Sequence, residues 1–395
     1  MKATIFIPLV ALSVSAWSQT LTVEQALAVA RKNRPAVQSA LKMVESAKAN
    51  RQALSAYPGL NFGLGQSSRQ GLGATDQDLY LSHSIDIFGR TSALRSIGEA
   101  GLTVALAEAR TTLLDVQQEV LIAYFEAIAT KQHFKVSAEL LQVAESLLVA
   151  TTKRFEIGNV PEIQVTRARI ERDRARQAML LRQAQFAGTQ KRLAGAMGIA
   201  EVTELPESAS LSEPKVDLSQ HPELQALDAQ AGVALAETRL ASKENAPELD
   251  ITALRTPWRE GKSQFGARLQ LTWRVYDFGK SRSEARASRK RAEAFQKRRD
   301  DAQKLAEAEI RRLDDELAAW RGSVQSYQAI QQSASELVQK SQSGFAQGYG
   351  TLLDVLEATR ALREIEQELI EAELAMNLAL TAKYKASGAV IEVQD

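Results

Sequence analysis

The clearest pattern in the chain is an alternation. Phe265, Ala267, Leu269, Leu271, Trp273 and Val275 are apolar, and Gly266, Arg268, Gln270, Thr272 and Arg274 stand between them. Side chains alternate across a strand, so this spacing predicts a strand of about 264–277 with one greasy and one polar face. Leu249, Ile251 and Ala253 repeat the pattern over about 247–255. Leu60, Phe62 and Leu64 do so over about 59–66, and Leu79, Leu81, Ile85 and Ile87 over about 77–88. Four strands are therefore expected, in two pairs.

Between them the period changes. Leu106, Leu113 and Val120 recur every seven residues, as do Leu140 and Leu147, then Leu141 and Leu148. That is coiled-coil spacing. It predicts a helix over about 90–155 and a return helix over about 162–194. Nine prolines punctuate the chain, but none lies between Pro58 and Pro161 or after Pro257. Interior proline breaks a helix, so those gaps permit very long ones. Roughly 65 residues at about 1.5 Å each make a rod of about 100 Å. Thr22 is placed to cap an earlier helix running to about Ala56, ended by Tyr57-Pro58-Gly59.

The order then repeats. Phe155 and Gly158 return as Phe345 and Gly348, and Phe88-Gly89-Arg90 returns as Phe278-Gly279-Lys280, both after 190 positions. A fixed offset across half a chain marks an internal duplication. The division expected is a first repeat over 19–198, a linker over 199–220, a second repeat over 221–388 and a tail over 389–395. The second repeat carries a long helix over about 279–345 and a return helix over about 351–387. Each repeat reads helix, strand, strand, long helix, turn, helix.

Composition narrows the class. Formal net charge is +1, so no global field suggests nucleic acid. Residues 1–18 combine a charged start, a short apolar run and small residues, which is the form of an export signal peptide. No other run approaches the ~18 apolar residues of a membrane-spanning helix. There is no cysteine, hence no disulfide framework and no thiolate site. His83, His133 and His221 lack ligand spacing and are expected as incidental surface or lumen residues. Gly261-Lys262-Ser263 resembles the end of a phosphate loop, but Thr256 stands where its first glycine belongs. Catalytic, metal and cofactor readings are thus left without residues.

Strands of this kind fit a half-buried soluble sheet. In an exported protein they also fit a membrane barrel, apolar to lipid and polar to the lumen, with Tyr80, Phe88, Trp258, Trp273, Tyr276 and Phe278 as interfacial aromatics. Four strands cannot close a membrane barrel alone, so that reading requires several copies.

The duplicated order, the Phe-Gly pair ending each hairpin and the two glycine turns resemble the TolC-type outer membrane factors. The resemblance spans essentially the whole chain after the signal peptide. It implies a mainly α fold with a small β part. As a homotrimer it would form a 12-stranded outer membrane β-barrel continued by a long periplasmic α-helical barrel. The implied role is the passive exit duct of a tripartite exporter, set in outer membrane lipid and joined through a periplasmic adaptor to an inner membrane transporter. The alternative is that the chain is itself a periplasmic adaptor with coiled-coil hairpins.

By the same resemblance Arg154, Gly158 and Gly348 fall at the adaptor-docking tip. Arg154 also suits a helix C-terminus as an exposed cation. Asp354 and Glu357 match an acidic ring at the periplasmic entrance. Their spacing equally describes a solvated acidic pair at a helix N-terminus. Gly350 and Phe345 depart from the family's type member, which has an arginine near the first that helps latch the entrance and an aromatic hydroxyl at the second. Arg268 and Arg274 fall on the polar strand face and are candidates to line the lumen, or else to face loops or the helix junction.

Overall fold

The computed structural model describes residues 20–68, 75–258 and 262–392; the expected signal peptide lies outside the described residues. In chain order the helices and strands are α1 (Val23–Asn33), α2 (Pro35–Ser55), β1 (Leu60–Ser68), β2 (Thr75–Ile85), α3 (Arg90–Glu156), α4 (Glu162–Met197), α5 (Pro222–Ser242), β3 (Glu248–Trp258), β4 (Lys262–Thr272), α6 (Lys280–Gln347) and α7 (Leu352–Ser387). A short 3₁₀ turn at Leu218–Gln220 precedes α5.

Three elements differ from expectation. The helix from Thr22 is two helices, parted at Arg34, whose ψ of 121° is extended. Pro35 imposes this, because its ring excludes the helical conformation from the residue before it. The second strand stops at Ile85 because Asp86 turns to accept the Arg90 amide at 2.9 Å and so caps α3. The fourth ends at Thr272, opposite Glu248, where β3 begins. Trp273 and its followers have no strand partner there.

The four strands form one antiparallel sheet in the order β1-β2-β3-β4. Its register brings Phe62 to Leu81, Leu81 to Ala253 and Ala253 to Ala267. Directly opposed residues share a face, so Leu60, Phe62, Leu81, Leu249, Ile251, Leu269 and Leu271 lie together. Asn61, Ser82, Thr252 and Arg268 lie on the other face. On the polar side Tyr80 lays its ring over Gly63; a Cβ there would come within 2.1 Å of it.

α3 and α6 are single helices of 67 and 68 residues. α5, near the sheet, and α7, further away, each pack against both of them, while α2 and α4 pack against α3. Asp277, like Asp86, caps the helix leaving the sheet: it accepts the Gly279 and Ser281 amides at 3.0 and 2.8 Å. The largest core lies mid-way, where Leu21, Leu27, Val120, Leu121, Tyr124, Leu193, Met197 and Leu205 pack together. There the Tyr124 hydroxyl donates to the Leu21 carbonyl at 2.8 Å. Burial pushes this phenol far above its usual range.

Candidate functional site

Both helical hairpins end in the same reversal. α3 runs to Glu156, and Gly158 then takes φ +77° while the Asn159 amide donates to the Arg154 carbonyl at 2.8 Å. α6 runs to Gln347, Gly348 takes φ +90°, and the Tyr349 amide donates to the Gly344 carbonyl at 3.0 Å. Side-chain-bearing residues avoid this left-handed region, so both glycines are required by the turn.

The second turn is tighter. The Gly350 amide also donates to Gly344, at 3.0 Å. A Cβ on Gly350 would lie 3.0 Å from the Phe345 nitrogen. Backbone cannot yield there, so an arginine at this position would require a different turn.

The two tips pack on one another. Leu147, Ala168, Phe345, Leu352 and Val355 form a small core between them. Arg154 closes it from the solvent side, with its guanidinium 4.2 Å above the Phe345 ring. It donates to the Phe345 carbonyl and, at 3.3 Å, to that of Ala346. Arg154 is thus half-buried and engaged, not free at the end of its own helix as its position suggested. It compensates the partial negative charge of the neighbouring hairpin's helix end. Phe345 needs no hydroxyl for this contact; its ring face and its backbone carbonyl supply it.

Asp354 lies in the first turn of α7. Its carboxylate accepts the Thr351 amide at 2.8 Å, and the Thr351 hydroxyl accepts the Asp354 amide at 3.2 Å. This reciprocal capping box was legible as Thr351-x-x-Asp354. The Thr351 amide, helped by its hydroxyl, holds the Asp354 carboxyl below its usual range. Glu357 follows one turn later and is exposed. Around the tips Ile157, Ile163, Tyr349 and Leu353 also stand in solvent, Tyr349 at 90%. Above them a groove of about 620 Å³ between α3, α4 and α7 has an apolar floor of Leu140, Val143 and Leu147 and a rim of Arg174, Arg182 and Arg363.

The remaining candidates are dispersed. Arg268 is exposed on the polar sheet face, opposite Thr252. Arg274 lies past the last strand pair, 3.6 Å from Glu244, at the helix junction. His133 and His221, expected on the surface or in a lumen, are buried. Burial, with a smaller push from Arg182, drops His133 to about 4, so it is neutral at pH 7.

Sequence reading missed three charged features. Lys383 is buried and bonded to Glu213 of the linker and to Asp314 of α6. With Arg321 at 2.9 Å, these contacts hold Glu213 down to about 2, the Lys383 hydrogen bond contributing most. On α7, Glu366 and Glu373 are seven residues apart, and burial raises both carboxyls. Only that spacing could have flagged them. Among the described residues no three His, Asp or Glu side chains converge as a metal site.

Comparison with known proteins places this geometry. Residues 26–199 and 214–389 match the family described as outer membrane efflux protein. A Pseudomonas putida protein, the pyoverdine export outer membrane protein OpmQ, is 26% identical over 339 residues, covering 79% of this chain and 70% of its own. The fold is similar to that of CusC, with TM-score 0.76, 17% identity and coverage of 93% and 92% of the two chains. It is also similar to that of VceC from Vibrio cholerae, with TM-score 0.75, 18% identity and coverage of 94% and 97%.

Proposed function

The chain belongs to the outer membrane efflux protein family, and from that premise we propose that three copies close into one passive exit duct. It is a protein of the outer membrane that extends into the periplasm, and its role is export. The proposal concerns how it does so.

One observation carries it. The sheet of a single copy has an apolar face with nothing against it: Phe62, Phe265 and Leu269 are 68%, 82% and 69% exposed. It also has two unpaired edges, β1 and β4. In water such a face would aggregate, and in hydrocarbon an open edge leaves backbone groups unsatisfied. Pairing β1 of one copy with β4 of the next resolves both. Three copies give twelve strands around a lumen lined by Asn61, Tyr80, Ser82, Thr252 and Arg268. The long helices prolong that lumen toward the pump. None of the described helices is long and apolar enough to span a membrane.

At the far end the paired tips form the entrance. Arg154 clamps the second hairpin to the first, and Glu357 with Asp354 places two carboxylates per copy around the mouth. Threefold repetition makes an acidic ring that attracts cations. The exposed Ile157, Ile163, Tyr349 and Leu353, with the arginine-rimmed groove, are the surface we assign to a periplasmic adaptor. Gly158 and Gly348 shape the tips that present it. Energy comes from an inner membrane transporter. The cargo of the Pseudomonas putida relative is pyoverdine; a passive duct takes its cargo from its pump, so we carry over the role and not the molecule.

The test is recovery from outer membranes followed by planar-bilayer recording. A heat-sensitive trimer that conducts ions is expected. Purification as a soluble monomer without conductance rules the duct out.

A further inference from the structure

Where β4 passes into α6, the surface changes character within a few residues. Trp273, Val275, Tyr276 and Phe278 are 60%, 75%, 71% and 89% exposed. The Tyr276 and Phe278 rings meet edge to face at 4.8 Å. Phe278 has φ +55°, the one described residue other than glycine with positive φ. Side chains larger than glycine's disfavour this left-handed region, and apart from the edge contact with Tyr276 the ring that this conformation projects stands open within one copy.

Immediately beyond, the first turns of α6 carry Arg282, Arg286, Arg289 and Lys290, all exposed. α6 meets α5 through Ser288 and Arg291, which reach Glu237 at 3.4 and 2.9 Å, and Ser281 accepts from Asn245 of the turn after α5 at 2.8 Å. At 100° per residue, Arg282, Arg286 and Arg289 fall on one stripe beside that contact. None of the three has an ion pair within 4 Å among the described residues. From Lys280 to Arg289 the helix descends about 14 Å, within reach of one layer of lipid headgroups.

We propose that this aromatic cluster and the arginine stripe beneath it form a binding surface for anionic phospholipid headgroups of the periplasmic leaflet. It rests on the reading of the sheet as a membrane barrel, with which it is continuous. Aromatic rings lie at the level where hydrocarbon meets headgroups. Unpaired arginines one to three turns lower meet phosphates and bind them in bidentate fashion. The exposure and strain of Phe278 follow: its ring is covered by lipid. Threefold repetition makes the stripe a cationic collar around the duct.

The test uses the full chain reconstituted in phosphatidylethanolamine bilayers, with spin-labelled phosphatidylglycerol and spin-labelled phosphatidylcholine as probes of the lipid in contact with protein. The wild type should prefer phosphatidylglycerol, and the R282Q/R286Q/R289Q variant should lose roughly tenfold of that preference. Insertion, heat-sensitive trimer formation and conductance should persist in the variant. Equal preference in the two proteins overturns the proposal. So does a change in the ion selectivity of the pore, which would place the arginines in the lumen. Failure of the wild type to insert in any bilayer overturns the barrel reading, and the collar with it. F278A separates the two components: weaker contact with both probes alike supports interfacial seating of the ring, and no change for either removes it.

Discussion

Replacing Arg154 by alanine removes the side chain that ties the tip of the first hairpin to the backbone carbonyls ending α6. The guanidinium donates to two carbonyls and lies over the Phe345 ring. A hydrogen bond from a charged donor contributes about 1.5–3 kcal/mol when sheltered, and a cation over a ring about 0.5–1 kcal/mol at an exposed site. The freed carbonyls end a helix near solvent and recover water, which offsets part of the loss. We therefore take about 2 kcal/mol for the clamp, close to a 30-fold change in the balance between held and released tips. The readout is amide hydrogen exchange over residues 341–351. The Tyr349 and Gly350 amides, both bonded to Gly344, should exchange about 30-fold faster in the variant if local opening governs exchange. Amides of α5, far from the tip, should be unchanged. Arg154→Lys keeps the charge but not the planar fork, and should fall between. Wild-type exchange at the tip in Arg154→Ala would refute the clamp.

Five further variants test other contacts of the fold. Gly350→Ala sets a Cβ against backbone, so tip exchange should rise there too without any loss of trimer; an unchanged tip would show the turn to be slack. Glu357→Gln should reduce cation selectivity in bilayer recordings, and Asp354→Asn should in addition fray the start of α7, seen as faster exchange at residues 352–356. Glu373→Gln should raise the melting temperature at pH 7. Burial raises this carboxyl in the folded state, so the ionised form opposes folding; stability is gained as pH falls through the raised value, and the variant's advantage should vanish below about pH 4. Lys383→Met should lower the melting temperature, because it takes the shared cation from Asp314 and leaves Glu213 with Arg321 alone. Removing one partner of a buried pair costs about 3–5 kcal/mol, less here because both acids are half-exposed. The depressed Glu213 carboxyl contributes stability above its unfolded value, lost as pH falls through about 2.

Periodicity made the strands and long helices legible, because each has one apolar face and the two periods differ. The 190-residue offset made the duplication legible, since turns with positive φ admit few residues besides glycine. Helix breaks were less legible where proline acts through its predecessor, as at Arg34. The contacts between hairpins were not legible at all. Arg154 and Phe345 are 191 positions apart, and no local pattern says that one lies over the other. The same holds for Lys383 with Glu213 and Asp314, which meet only once the linker folds back along α6 and α7. Asp354 lies between these cases: its capping role was written in Thr351-x-x-Asp354, while any part in a ring depends on copies of the chain outside this one.

The closed twelve-stranded barrel is the claim on which the lumen, the entrance ring and the lipid collar all depend. The absence of native cysteine permits a direct test. Cysteine pairs, one on β1 and one on β4, are scanned through both edges, and the outer membrane form is oxidised. The account predicts that pairs in register join every copy into a covalent ring of three. Full oxidation that leaves only monomers, or links β1 to β4 within one copy, would contradict it.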